Sequence, residues 1–149
     1  MKITEKQVVR SLQSFHRTGT YVMINNIHMY GCFESDFLRV TMSKYSTEFE
    51  VKLSVADFKA DARKSIGNKS KYEYMQLGLG ANSFAYVVPR DILDKIEVPE
   101  WAGLFVFDIY KRIRSEPLSD YNSVKTITMV KPYKKLHKKK VTEKKIDQI

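Results

Sequence analysis

Cysteine is almost absent from this sequence. The one cysteine, Cys32, cannot form a disulfide within the chain, and we expect it to be a small buried residue. No apolar run reaches the length of about 18 residues that a membrane-spanning helix needs, and the first residues do not have the form of a signal peptide. The sequence therefore predicts a cytoplasmic protein with no membrane partner, and not a disulfide-stapled secreted domain.

Acidic residues are scarce relative to basic ones. The chain has 17 Asp and Glu against 26 Lys and Arg, a formal net charge of +9. Such an excess favours a polyanionic partner, with nucleic acid ahead of an anionic membrane surface. With 149 residues, of which 43% are hydrophobic, the chain is long and apolar enough for one domain with a real core.

Apolar residues become sparse after Val130, and eight lysines fall between Lys131 and Lys145. We therefore predict a domain over residues 1–130 and a lysine-rich tail over residues 131–149, forming a basic arm or a short exposed helix. Removal of this tail should leave the fold intact, unless Tyr133 and Leu136 pack on the domain, in which case truncation would also destabilise it. Its predicted role is to bind the DNA backbone through Lys134, Lys135, Lys138, Lys139 and Lys140, and the alternative is that it only aids solubility.

The centre of the chain has the pattern of a β-hairpin. An apolar run over 37–42 follows Asp36, and after a polar break the stretch 48–53 alternates between charged and apolar residues. Paired as a hairpin, the two strands bring Asp36 close to Glu50 and Lys52 on one face of the sheet. Two carboxylates can share a hard cation such as Mg²⁺, with the lysine beside an attacking water. The alternative is a solvated strand face whose charges alternate by chance.

The surrounding sequence is typical of an α/β protein. Ser54 to Asp57 has the form of a helix cap directly after the second strand, and the helix of residues 3–17 carries an apolar stripe. Uninterrupted apolar runs over 83–88 and 104–107 predict buried central strands. His16, at the end of the first helix, is predicted to lie at the surface.

The hairpin and the helix after it resemble the PD-(D/E)XK nuclease superfamily. Asp36 resembles its first acid and Glu50-Val51-Lys52 its (D/E)XK tripeptide, while EVKLSVADFKADARK, SFAYVVPRDIL and VPEWAGLFVFD resemble segments of the MmcB-like DNA-repair proteins and their phage relatives. The resemblance covers most of residues 1–108. It implies an α/β fold with a restriction-endonuclease-like mixed β-sheet flanked by helices on both faces.

The resemblance also implies a function. Asp36, Glu50 and the backbone carbonyl of Val51 would hold Mg²⁺, with Mn²⁺ as a substitute, and Lys52 would orient or activate water. The expected reaction is hydrolysis of DNA phosphodiesters in repair, recombination or phage DNA processing, in a bacterial or phage-infected cell. Holliday-junction resolvases of this superfamily work as dimers, so a homodimer is an open expectation. Glu5 and Glu34 are further acids whose part in the metal site stays open.

Two other features bear on this hypothesis. Lys69 and Lys71, interleaved with tyrosines, are predicted to contact DNA, although the tyrosines could equally be packing residues. The rival functions are a nuclease-like fold that has lost catalysis and serves as a DNA-binding or interaction module, and a basic RNA-binding protein. The second rival leaves the predicted grouping of Asp36, Glu50 and Lys52 unexplained.

Overall fold

A six-stranded mixed β-sheet forms the middle layer of the protein. The computed structural model describes residues 2–30 and 33–148, so Cys32, predicted to be buried, lies outside the described residues. The helices are α1 (Glu5–Phe15), α2 (Val55–Ala62), α3 (Lys71–Gln76), a 3₁₀ helix (Arg90–Lys95) and α4 (Glu143–Asp147). The strands are β1 (Thr20–Ile27), β2 (Ser35–Thr41), β3 (Ser46–Val51), β4 (Ser65–Ile66), β5 (Lys69–Ser70), β6 (Ser83–Pro89), β7 (Gly103–Tyr110) and β8 (Val124–Lys131).

The strands of the main sheet follow the order β1-β2-β3-β6-β7-β8. The three inner strands β3, β6 and β7 are parallel, while β1, β2 and β8 pair antiparallel with their neighbours. β6 is buried over its whole length, as expected for a parallel strand with both faces covered. The separate pair β4–β5 forms a short hairpin between α2 and α3.

Helices cover both faces of this sheet. On one face, α1 begins at a capping box in which Thr4 and Gln7 bond reciprocally, and it buries Val8, Val9 and Leu12 against the sheet. On the other face, α2 and α3 pack through Phe58 and Met75. The prediction of an α/β fold with a mixed sheet and helices is confirmed. No helix in the described ranges is both long and apolar enough to cross a membrane.

The lysine-rich segment that follows β8 is packed on the domain. We call residues 132–148 the C-terminal strap. Its backbone N–H groups bond to carbonyl oxygens just before β7, β6 and β3: Lys134 to Trp101 at 3.0 Å, Leu136 to Asn82 at 2.7 Å and Val141 to Lys44 at 2.8 Å. The strap therefore crosses the amino ends of the three parallel strands.

This packing bears on the predicted division of the chain into a domain over residues 1–130 and a tail. β8 extends to Lys131, so a boundary after residue 130 falls inside a strand. Tyr133, Leu136 and Val141 of the strap each pack against a different part of the core. The physical reason is that three apolar side chains spaced among the lysines anchor the segment, while the lysines stay at its outer side.

Candidate functional site

The β2–β3 hairpin places Asp36 opposite Glu50. The strands pair with Phe37 across from Phe49, and Asp36 and Glu50 lie one residue beyond this pair. Residues directly opposite on antiparallel strands point to the same face of a sheet. The backbone N–H of Val51 donates to Oδ2 of Asp36 at 2.8 Å, which holds the Asp36 carboxylate beside the end of β3.

Lys52 follows directly after β3 and turns back toward Glu50. Its Nζ lies 3.2 Å from Oε2 of Glu50, and its backbone N–H donates to the carbonyl of Val87 on β6. The structure thus brings Asp36, Glu50 and Lys52 together at the carboxyl end of β3. The alternative of a solvated charged strand face is wrong, because Glu50 is 1% exposed and Glu48 is 2% exposed.

Two further charged residues, Asp61 and Lys71, join this group. Nζ of Lys71 lies 3.0 and 3.1 Å from the two carboxylate oxygens of Asp61, and 3.3 Å from Oε1 of Glu50. Nζ of Lys52 lies 3.3 Å from Oδ1 of Asp61. We call Glu48, Glu50, Lys52, Asp61 and Lys71 the acid–lysine cluster.

The location of Lys71 corrects its predicted role. Lys71 is 0% exposed, so its ammonium cannot contact DNA phosphates at the surface. Asp61 is also 0% exposed. These burials are favourable only because each charge faces an opposite one. The sequence signal was weak, since the partners of Lys71 lie on β3 and α2, and only the fold brings them together.

Phenol groups complete the surroundings of Asp61. The hydroxyl of Tyr86 donates to Oδ2 of Asp61 at 2.7 Å, and the hydroxyls of Tyr72 and Tyr86 lie 3.0 Å apart. Burial by itself would raise the pKa of Asp61. The charges of Lys71 and Lys52, with the Tyr86 hydrogen bond, outweigh it and lower this pKa to about 2. Asp61 is therefore a firmly ionised anchor for the two lysines.

The carboxyl groups of Asp36 and Glu48 have raised pKa values, unlike that of Asp61. Burial and the charge of Glu50 raise the pKa of Asp36 to about 7, against the Val51 hydrogen bond. Burial, opposed by Lys71 and reinforced by Glu50, raises the pKa of Glu48 to about 8. Within the described residues, Oε1 of Glu48 has no hydrogen-bond partner, and Oε1 of Glu50 has only the ionic contact with Lys71. Such perturbed acids concentrate at functional sites.

This set of carboxylates fits a magnesium ion only in part. In the described part of the chain, no group of three or more His, Cys, Asp or Glu side chains is arranged to hold a metal. Mg²⁺ usually binds through one or two carboxylates and keeps several waters. Asp36 and Glu50 meet that requirement, and Oε1 of Glu50 lacks a hydrogen bond. The ammonium of Lys71 already neutralises part of the charge that a cation would meet.

Glu5 and Glu34 differ in their relation to this site. Glu5 begins α1, and its negative charge contributes to the raised pKa of Asp36, so the amino end of α1 lies near that carboxylate. Glu34 lies 4.0 Å from Nε2 of His28, and its side chain is 48% exposed. Of these two acids, Glu5 is electrostatically linked to Asp36.

The other predicted DNA contacts are exposed, and those on the strap lie away from Lys52. Lys69 is on β5, next to α3, and Lys134 pairs with Glu100. Nζ of Lys135 lies 3.6 Å from the centre of the Tyr45 ring. The remaining three are exposed on the strap: Lys138, Lys139 and Lys140. The strap crosses the amino ends of the parallel strands, whereas Lys52 follows the carboxyl end of β3. The length of β3 therefore places the strap lysines about 20 Å from Lys52.

The fold and the site together define an α/β domain with a buried acid–lysine cluster at the carboxyl end of a central strand. The SPO1766 protein of unknown function from Silicibacter pomeroyi has a similar solved structure, with a TM-score of 0.59 and 15% sequence identity. The match covers 99% of this chain and 82% of that one. At this identity the likeness shows the fold alone. Comparison with family models gives no match, and comparison with curated proteins gives none either.

Proposed function

We propose that this protein is a Mg²⁺-dependent DNA nuclease that hydrolyses phosphodiester bonds in repair, recombination or phage DNA processing. One observation carries the proposal: Asp36 and Glu50 lie opposite each other on β2 and β3, and the ammonium of Lys52 is 3.2 Å from Glu50. The restriction-endonuclease-like arrangement of the sheet belongs to the same proposal. That the protein forms a homodimer stays a prediction, which a measurement of its molecular mass in solution would check.

In this proposal each residue has a defined part. Asp36, Glu50 and the backbone carbonyl of Val51 would hold Mg²⁺, or Mn²⁺ in its place. The chemistry supplied by the bound cation would be polarisation of a phosphoryl oxygen and a lowered pKa of a bound water. Lys52 places its positive charge where the attacking water and the developing negative charge meet. Its side chain is 12% exposed, so it lies at the boundary between the buried cluster and solvent.

Asp61 acts behind Lys52 in this scheme. The carboxylate lies 3.3 Å from Nζ of Lys52 on the side away from solvent, and Tyr86 fixes its orientation. Together with Glu50 and Asp36, this charge raises the pKa of Lys52 against the effect of burial. Lys52 therefore stays protonated and serves as a fixed positive charge, with Asp61 as its positioning residue.

A second function is favoured by the contacts of Lys71. Its ammonium lies between Asp61 and Glu50, where it balances charge without a metal. A nuclease-like fold with such an internal ion pair could bind DNA or a partner protein without cleaving. This candidate differs from the first in one measurable property, the dependence of DNA cleavage on a divalent cation.

Cleavage of labelled single-stranded, duplex and branched DNA decides between these functions. The nuclease proposal expects products with Mg²⁺ or Mn²⁺ and none with a chelator. Binding of the same DNA without products in either metal would favour the non-catalytic module. The reaction should be run with protein purified in parallel from the variants below, so that contaminating nucleases are detected.

Lys52→Ala should reduce the cleavage rate by roughly 100-fold or more while DNA affinity is kept, because the charge acts mainly in the transition state. Glu50→Gln should also abolish cleavage, through loss of a metal ligand. Lys59→Ala, on the exposed side of α2, is the matched control and should cut normally. Since Lys52 and Glu50 belong to the cluster, melting curves must show that each variant folds. Wild-type rates in both variants would place any activity elsewhere.

A further inference from the structure

An open groove of about 1050 Å³ runs between α1 and β8. Its cationic lining consists of Lys6 and Arg10 on α1, Arg112 after β7, and Lys125 on β8. Lys125 is partly balanced by Asp120, at 3.6 Å. Among the residues that the structure describes, no carboxylate lies within ion-pairing distance of the other three cations, so the groove has an excess of positive charge.

An aromatic ring lies in the same groove. Phe15, the last residue of α1, lines it and is 48% exposed, and it packs on Phe105 in a T-shaped contact with ring centres 5.9 Å apart. A cationic groove with a half-exposed aromatic ring is a combination that binds single-stranded nucleic acid, because phosphates meet the cations and bases stack on the ring. A duplex has its bases stacked internally and offers no free base to such a ring.

The loop that carries Arg112 is held in place. The side chain of Asn122 accepts a hydrogen bond from the N–H of Ile113 at 2.6 Å and donates to the carbonyl of Ile113 at 2.9 Å. The same side-chain amide also donates to the carbonyls of Glu116 and Pro117. Arg112 is thereby presented at the groove by a loop that is ordered before any ligand binds, which lowers the entropic cost of binding.

One end of the groove lies at the carboxyl ends of the parallel strands, where the candidate site also lies, although the groove is on the α1 face and the acid–lysine cluster on the α2 face. β8 begins at Val124, which pairs with Tyr110 at the carboxyl end of β7. β7 is parallel to β6 and β3, so this end of the groove and Lys52 lie at the same edge. At its other wall, α1 begins with Glu5, close enough for its charge to act on Asp36.

We propose that the groove between α1 and β8 binds a single strand of DNA and leads it along this edge toward Asp36 and Lys52. The choice of DNA as the strand rests on the proposed function, whereas the groove itself is defined by its own residues. The strap lysines at the opposite edge take no part in this path.

The test is fluorescence anisotropy with a labelled thymidine oligonucleotide of about 16 nucleotides, in a chelator so that no cleavage occurs. The groove variant carries Lys6→Gln, Arg10→Gln and Arg112→Gln. The matched control carries Lys59→Gln, Arg63→Gln and Lys95→Gln, three exposed cations outside the groove with the same change in charge. We expect the groove variant to bind the oligonucleotide at least tenfold more weakly than the control variant. Its slope of log affinity against log salt concentration should also be shallower by about 2, because three phosphate contacts are lost.

A second variant tests the aromatic ring. Phe15→Ala should weaken binding of the strand about tenfold, since loss of one stacked base costs that much, while Phe15→Trp should keep it. Melting curves for both separate lost stacking from lost packing on Phe105. Equal losses in the groove and control variants would overturn the proposal, as would tighter binding of a duplex than of the strand. Groove-dependent binding in the chelator, together with no cleavage in the separate assay with Mg²⁺ or Mn²⁺, would instead refute only the nuclease proposal.

Discussion

At the scale of single residues, Asp61 has the densest set of charged contacts in the acid–lysine cluster. Its carboxylate pairs with Lys52, Lys64 and Lys71 and accepts the hydroxyl of Tyr86. A buried ion pair adds little net stability compared with a well-packed apolar core, but removing one partner leaves the other charge buried and unbalanced. The stability of the interior therefore depends strongly on this carboxylate.

Asp61→Asn should lower the free energy of unfolding by about 3 kcal/mol, the low end of the range for a broken buried pair, because the buried ammonium of Lys71 loses Asp61 and keeps only Glu50 as a direct counter-charge. Glu73→Gln, on the exposed side of α3, makes the same chemical change and should alter stability by less than about 0.5 kcal/mol. Urea unfolding of both variants measures the difference. An Asp61→Asn variant as stable as the wild type would show that the pair is not needed for folding.

His16 is a second polar residue that the fold buries. It was predicted to lie at the surface, and this is wrong: it is 5% exposed, with its ring 4.9 Å from that of Phe49. Burial, together with the charge of Arg39, lowers the pKa of His16 from 6.5 to about 4. The neutral ring can donate from Nδ1 to the carbonyl of Leu12 at 3.1 Å.

The lowered pKa of His16 predicts a loss of stability in mild acid. Between pH 6.5 and about 4 the unfolded chain binds a proton that the folded chain does not, so stability falls as the pH falls and the loss levels off below about 4. The full effect is about 3 kcal/mol. His16→Phe keeps an aromatic ring and removes the titration, so the difference in unfolding free energy between wild type and variant should change over this range. A constant difference would contradict the prediction.

At the scale of elements, the C-terminal strap behaves as part of the fold. Its three anchors, Tyr133, Leu136 and Val141, contact all three apolar clusters of the interior. Asn82 reinforces the docking, since its side-chain amide donates to the carbonyls of His137 and Lys139. Removal of the strap would expose apolar surface over the amino ends of β3, β6 and β7.

Truncation after Lys131 should therefore lower the free energy of unfolding by about 4 kcal/mol, the sum expected for one buried and two partly buried apolar side chains. This reverses the expectation that the segment could be removed without effect on the fold. A full-length chain with Lys138, Lys139 and Lys140 changed to Gln is the control and should unfold like the wild type, since these side chains are exposed. A truncated protein with unchanged stability would mean that the strap is bound only weakly.

At the scale of the whole molecule, the chain has a net charge of +9, and two of its sets of cations lie at opposite ends of the parallel strands. The strap lysines lie at the amino edge, while the cations of the α1–β8 groove open toward the carboxyl edge. The two sets can therefore be changed independently. Backbone binding by either set releases counterions from DNA, so affinity should fall steeply as salt rises.

Changing Lys138, Lys139 and Lys140 to Gln tests the strap as a DNA contact. If all three meet phosphates of a duplex, the slope of log affinity against log salt should become shallower by about 2.7, at 0.9 for each contact. Anisotropy with a labelled duplex in a chelator measures this slope. An unchanged slope would show that these lysines serve solubility, which is the alternative that their composition also allows.

The sequence by itself determined the central strands and the β2–β3 hairpin. Alternation over 48–53 predicts β3, and the uninterrupted apolar runs predict β6 and the first part of β7, because side-chain period and strand burial are local properties. A short turn between β2 and β3 fixes their register, and the register fixes Asp36 opposite Glu50. These features depend on neighbours in the chain.

Only the tertiary structure decided which charged residues are buried. Lys71 and His16 have polar side chains, so local pattern places them at the surface, yet each is enclosed by residues from other elements. The strap is likewise rich in lysine, and its docking depends on Asn82 and on core residues more than 40 positions earlier in the chain. Burial of a charge is favourable only where the fold places an opposite charge or a hydrogen-bonding group beside it. Here the residues that carry these groups are distant in sequence.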